Sequence, residues 1–216
     1  MRSYNQYCSV ARALDVVGDR WTLLIVRELL LQGACRYTDL RDALPGIATN
    51  LLADRLRDLE AAGLIAREEA GPPIATTLFR LTTRGEGLRP VVEELGRWGL
   101  PLMGGSHKGY AFRTHWLSVP AHLSLTDRHP TRPPVTIEIR TDEEEPMYIE
   151  TADGSVRTHR GAAEHPDAVM TGSPQTIGRL FTGNIGLAKA RRHGLRYEGD
   201  PEVLKRVLPE KEESAQ

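Results

Sequence analysis

Cysteine is nearly absent: of 216 residues only Cys8 and Cys35 carry a thiol. Two cysteines make no disulfide framework, so the fold must rest on apolar burial, and a reducing compartment, the cytoplasm, is expected. Long apolar runs are missing too. No stretch approaches the roughly 18 residues of a membrane helix, and the N-terminus lacks a signal-peptide apolar segment, so no membrane partner is expected. Histidine does not occur before residue 107, and the seven histidines show no paired ligand spacing, which speaks against a metal site. A nucleophile elbow, a phosphate loop and a metalloprotease helix are all lacking, so catalysis and cofactor chemistry have no residues to rest on. Lysine is absent from residues 1–103, where 13 arginines face 13 Asp and Glu. A nucleic-acid-binding half is usually basic, because phosphate neutralisation supplies most of its affinity. In a neutral half everything depends on where Arg36, Arg41, Arg55, Arg57, Arg67 and Arg80 point.

What is present is concentrated in residues 21–64. Three amphipathic segments follow one another, at 21–30, 38–44 and 49–60, with Pro45-Gly46 before the third. Leu52, Leu56 and Leu59 form one apolar stripe at i, i+4, i+7, which leaves Thr49, Asn50, Ala53, Asp54 and Arg57 on or near the solvated side. Small polar residues at the exposed start of a leucine-anchored helix suit base readout: Asn pairs bidentately with adenine, and Arg with guanine or a phosphate. An ordinary exposed helix face has the same composition. The residues that follow favour readout, since Gly63 ends the helix, 64–67 and 76–81 read as a hairpin, and Gly71-Pro72-Pro73 breaks the chain between them. Helix, turn, helix, hairpin describes a winged helix. Asp19 is expected to cap the segment after it and Thr38 the one it opens.

At Cys8-Ser9-Val10-Ala11-Arg12-Ala13-Leu14-Asp15, Gly18-Asp19-Arg20-Trp21-Thr22, Leu44-Pro45-Gly46-Ile47, Leu56-Arg57-Asp58-Leu59-Glu60 and Leu81-Thr82-Thr83-Arg84-Gly85, the chain resembles the HxlR family of bacterial transcription regulators. It departs from the family pattern at Ser9, where proline is usual, and at Glu68 and Glu69, where the wing is commonly basic. The resemblance implies a homodimer on double-stranded DNA. Thr38 and Arg41 would then rest on phosphates, Thr49, Asn50 and Arg55 would face the major groove with Arg57 also among the DNA-binding residues, and Arg67 or Arg80 would approach the minor groove. It also makes Cys8 a candidate redox or electrophile sensor, against the alternative of a cysteine buried as a small hydrophobe. Cys35, after a Gly-Ala turn, is expected to be exposed. Leu88, Val91, Leu95, Trp98 and Leu102 recur at helical intervals and form the expected dimer interface.

Composition shifts after Met103, and 104–109 reads as a linker, so domains are expected at 1–103 and 110–209 with a disordered tail at 210–216. The second half alternates as strands at 135–140, 147–151, 155–160, 168–171 and 195–197, with helices opened by Ser173-Pro174 and Asp200-Pro201. Asp153-Gly154 and residues 142–145 read as turns. With 167–172 and 195–201 this order resembles sterol-carrier-protein-like domains, which implies an antiparallel sheet under covering helices. The expected class is α+β throughout. Trp116, Tyr148, Phe181 and Tyr197 could line a pocket for a small apolar ligand or simply fill a core. A DNA-binding regulator is the leading reading. Its rival is a lipid or hydrophobic-metabolite carrier whose first half serves dimerisation or protein binding.

Overall fold

The computed structural model describes residues 3–71, 76–103, 109–142 and 145–209. The expected break at 72–73, most of the linker at 104–109, the middle of the 142–145 turn and the tail at 210–216 lie outside the described residues. Among those described, no helix is long and apolar enough to cross a membrane. The chain packs as two compact units, Met1–Leu95 and Gly96–Gln216.

In the first unit α1 (Ser9–Val17), α2 (Thr22–Gln32), α3 (Tyr37–Ala43) and α4 (Thr49–Ala61) precede the hairpin β2 (Ile65–Ala70) and β3 (Thr76–Leu81). Leu52, Leu56 and Leu59 are at most 1% exposed and join Ile25, Leu29, Leu40 and Leu44 in one core. Each contributes about 1.5–3 kcal/mol by leaving water. Gly63, at φ 68°, lets the chain leave α4, and the Leu64 amide returns to the Leu59 carbonyl at 2.9 Å. A two-residue strand, β1 (Cys35–Arg36), pairs with β3 and makes the sheet three-stranded in the order β1-β3-β2. This corrects the expectation for Cys35. The pairing sets it opposite Phe79 on the core face, where it is only 2% exposed.

Both expected caps are also corrected. The α3 N-cap is Arg36, whose amide donates to the Asp39 carboxylate at 2.9 Å, and Thr38 lies within the helix. The residue before α2 is Trp21, held at φ 80°, while the Asp19 carboxylate is engaged by Arg55. After β3 come α5 (Thr83–Glu86) and α6 (Arg89–Gly99). Leu95 and Gly96, the last residue of one unit and the first of the next, both lie in α6, and a Cβ on Gly96 would stand 3.1 Å from Val119 and 3.4 Å from Leu123.

The second unit has the helix α7 (Ser118–Ser124), the strands β4 (Thr136–Arg140), β5 (Met147–Ala152), β6 (Ser155–Arg160) and β7 (Ala168–Thr171), then α8 (Pro174–Phe181), α9 (Leu187–Arg192), β8 (Arg196–Gly199) and α10 (Pro201–Lys205). Asp153 and Gly154 both have positive φ, as a two-residue hairpin turn requires. The five-stranded sheet runs β6-β5-β4-β7-β8. It is mixed, a correction to the antiparallel expectation: after the β5–β6 hairpin the chain crosses at 161–167 to the free edge of β4, and β7 pairs there parallel. Register assigns the two faces. Met147, Ile139, Met170 and Tyr197 form one cross-strand row over the core, and His159, Tyr148, Glu138, Val169 and Glu198 form a row on the other face.

Candidate nucleic-acid interface

The leucine stripe of α4 determines what remains outside. Thr49 and Asn50 are exposed in its first turn, and the Tyr37 hydroxyl donates to the Thr49 carbonyl at 2.7 Å, tying the start of α4 to α3. The Asn50 side-chain Oδ1 accepts from the Leu51 backbone amide at 2.9 Å. Arg57 is exposed one turn before the end of α4 and pairs with Asp54. Arg55 departs from the expectation. Its guanidinium reaches Asp19 at 2.5 Å and Asp58 at 2.7 Å and its side chain is 19% exposed, so it braces α4 against the segment before α2 instead of standing with Thr49 and Asn50. We therefore leave Arg55 out of the readout residues.

Thr38 and Arg41 are exposed on α3, and Arg41 pairs with Asp42 at 2.9 Å. On the wing Arg67 lies 5.5 Å above the Phe79 ring and pairs with Glu60 at 3.0 Å, while Arg80 pairs with Glu68 at 2.9 Å. Thr38 and Arg67 meet in a notch of about 350 Å³ lined also by Arg36, Tyr37, Thr76, Thr77 and Phe79. The sequence singles out Arg36 without placing it and does not single out Tyr37, since a two-residue strand is too short to show alternation.

Cys8 is exposed just before α1, and the nearby Ala11 and then Val10 backbone N–H groups lower its thiol pKa. Its exposure removes burial as the alternative. Of the expected dimer residues, Val91, Leu95, Trp98 and Leu102 are exposed, whereas Leu88 turns inward and packs on the first core. The expected ligand pocket is not formed by its four residues. Phe181 and Tyr197 are core, Trp116 is half-buried in an edge contact with Phe112, and Tyr148 stacks on His159 at 4.6 Å on the opposite face of the sheet. A sheet separates Tyr148 from Phe181 and Tyr197, so no common cavity can hold all four.

The HxlR-like helix-turn-helix family matches residues 16–105. The HTH-type transcriptional regulator YdzF of Bacillus subtilis (strain 168) is 33% identical over 94 residues, which is 44% of this chain and 85% of that protein. The chain belongs to the HxlR-like helix-turn-helix family. A second regulator of the same organism, YvaP, is 32% identical over 87 residues, covering 40% of this chain and 80% of its own. Among solved structures, the reduced form of the B. subtilis regulator YodB is 27% identical with a TM-score of 0.39, covering 44% of this chain and 92% of that one. The family's stretch includes α3, α4 and the wing, and the Leu81-Thr82-Thr83-Arg84-Gly85 motif now has a structural reason. Thr82 caps α5 by accepting from the Gly85 amide at 3.1 Å, and its own amide donates to the Leu64 carbonyl at 3.0 Å, closing the base of the wing.

Proposed function

We propose that this HxlR-like protein regulates transcription as a homodimer on an inverted-repeat DNA operator, with α4 in the major groove. The observation that carries the reading is the first turn of α4: Thr49 and Asn50 stand exposed on a helix rooted by three buried leucines and held to α3 through Tyr37. Asn50 reads adenine through both atoms of its amide, Thr49 makes a hydroxyl or methyl contact, and Arg57 meets guanine or a phosphate. Thr38 and Arg41 set the register on phosphates, and Arg67 and Arg80 approach the neighbouring minor groove. A two-fold dimer places its half-sites about 34 Å apart, one helical turn.

Asn50→Ala tests this directly. Sites are first recovered genome-wide from bound DNA, and affinities are then measured on an operator and a random duplex. The variant should lose about 1–3 kcal/mol on the operator and relax the base preference at one position per half-site. Its affinity for the random duplex should be unchanged. Equal loss on both duplexes would remove Asn50 from readout.

We assign the dimer seam to the outer stripe of α6, Val91 and Leu95, continued by Trp98 and Leu102, together with Val10 and Leu14 of α1. All are exposed, Leu95 at 50% and Trp98 at 71%. A run of large apolar side chains left in water favours a partner surface, and a second copy offers the same stripe in return. Leu95→Glu places a charge in that seam, so sedimentation should give monomers where the native chain gives dimers. A persistent dimer would move the interface elsewhere.

A further inference from the structure

Four arginines of this face share a property that their positions alone do not require. Each is matched by a carboxylate: Arg41 by Asp42 at 2.9 Å, Arg57 by Asp54, Arg67 by Glu60 at 3.0 Å and Arg80 by Glu68 at 2.9 Å. Two of these partners tie elements together. Glu60, in the last turn of α4, reaches across to Arg67 of β2, and Glu68 of β2 reaches Arg80 of β3. All four residues of the two wing pairs are between 39% and 57% exposed, so water and salt screen the pairs and a phosphate held in place against the wing can replace either carboxylate.

We propose that Glu60 and Glu68 are specificity-determining residues that hold Arg67 and Arg80 in neutral pairs and so withhold the wing's charge from DNA in general. The proposal rests on the DNA-binding reading above. Binding to random sequence draws essentially all its affinity from phosphate neutralisation, so cancelling two arginines weakens that mode in full. Binding to an operator also draws on base contacts from α4, and their docking holds the wing where a phosphate replaces the carboxylate. The paired wing thus costs the random mode more than the specific one. This gives the acidic wing a function in a half of the chain whose formal charge is neutral. Carboxylates beside the arginines raise the ratio of specific to random binding, which is the quantity that matters among many competing sites.

The test uses the full chain with Glu60→Gln, Glu68→Gln and the double variant, and fluorescence anisotropy on an operator and a random duplex of equal length between 50 and 200 mM salt. Glutamine keeps the size of the side chain and removes its charge. The double variant should bind the random duplex more tightly, with the slope of log affinity against log salt steeper by about 0.9 for each phosphate contact released. That slope corresponds to an added factor of about 3.5 per contact across this salt range. Operator affinity should rise by less, so the specificity ratio falls. Glu68→Asp, which keeps the charge, should retain the native ratio, and this separates a charge effect from a folding defect. An unchanged random-duplex slope in the double variant, or an equal gain on both duplexes, would overturn the proposal while leaving DNA binding intact. A native protein that binds neither duplex at any salt would overturn both.

Discussion

Asp127→Ala should destabilise the second unit by about 3–5 kcal/mol, the cost of leaving a buried charge without its partner. Asp127 follows α7 and Arg206 ends α10. Both are 7% exposed, and the guanidinium grips the carboxylate with two bonds, Nε to Oδ1 at 2.6 Å and Nη2 to Oδ2 at 2.9 Å. Two more guanidinium hydrogens go to the Pro133 and Arg132 carbonyls at 2.7 and 3.3 Å, and Asp127 Oδ1 also accepts from the His129 amide at 3.0 Å. The pair therefore fastens the segment before β4 to the end of α10, where the Arg128 amide also donates to the Arg206 carbonyl at 3.1 Å. Truncating the aspartate leaves Arg206 charged in an interior that cannot solvate it. Replacing both, as Asp127→Leu with Arg206→Met, should cost less than either single truncation because no charge is then stranded. Hydrogen exchange at β4 and β7 localises the effect. A loss below about 1 kcal/mol for Asp127→Ala would mean that the pair is already solvated.

The same pair predicts a pH dependence. The Arg206 guanidinium, through its hydrogen bonds, holds the Asp127 carboxyl below its ordinary pKa. A depressed pKa in the folded state contributes stability that is complete above the unfolded value of about 3.9 and is lost as pH falls through the folded one. The stability gap between the native chain and Asp127→Ala should therefore be constant from neutral pH to about pH 5 and narrow below about pH 4.

Gly85→Ala should cost about 3 kcal/mol, the upper end of the overpacking range, and weaken operator binding with it. A Cβ at this position would stand 2.1 Å from the Leu64 carbonyl oxygen and 2.9 Å from Leu81 Cδ2. The first of these is backbone, and it cannot swing aside as a side chain would. That carbonyl also accepts the Thr82 amide, so the adjustment opens the base of the wing and shifts Arg67 and Arg80 relative to α4. Gly99→Ala, with nothing within 4 Å of its Cβ position, is the control and should be neutral or slightly stabilising. Chemical denaturation together with operator titration measures both effects. Equal stabilities for the two alanine variants would refute the close approach at Gly85.

Several features of the fold and the site were legible from residue order because they are local. The 3.6-residue period of Leu52, Leu56 and Leu59, the glycine that ends their helix and the alternation of β5 each follow from neighbours a few positions apart. Asp153-Gly154 is a turn for the same reason, as is the proline-led start of α8. The exposed Thr49 and Asn50 follow directly, since a helix anchored on one face must expose the other.

The tertiary structure decided the features that depend on residues far apart in the chain. Arg55 looked like a readout residue until Asp19, 36 positions away, claimed its guanidinium. Cys35 became core only because β3 came alongside it, and Leu88 left the dimer stripe because the first core had room for it. Glu138 interrupts the buried-exposed alternation of β4, and it is buried because the Ala163 amide, on the crossover to β7, caps its carboxylate at 2.8 Å. Tyr148 and Tyr197 ended on opposite faces of a sheet whose parallel pairing nothing in the strands themselves specifies. The sequence by itself determined most of the longer helices and strands and the apolar side of those with a clear period, because those preferences act within a turn or two of chain. Which polar side chain meets which, and so which arginines are left for DNA, was decided by packing, because an ion pair depends on distance in space and is indifferent to separation along the chain.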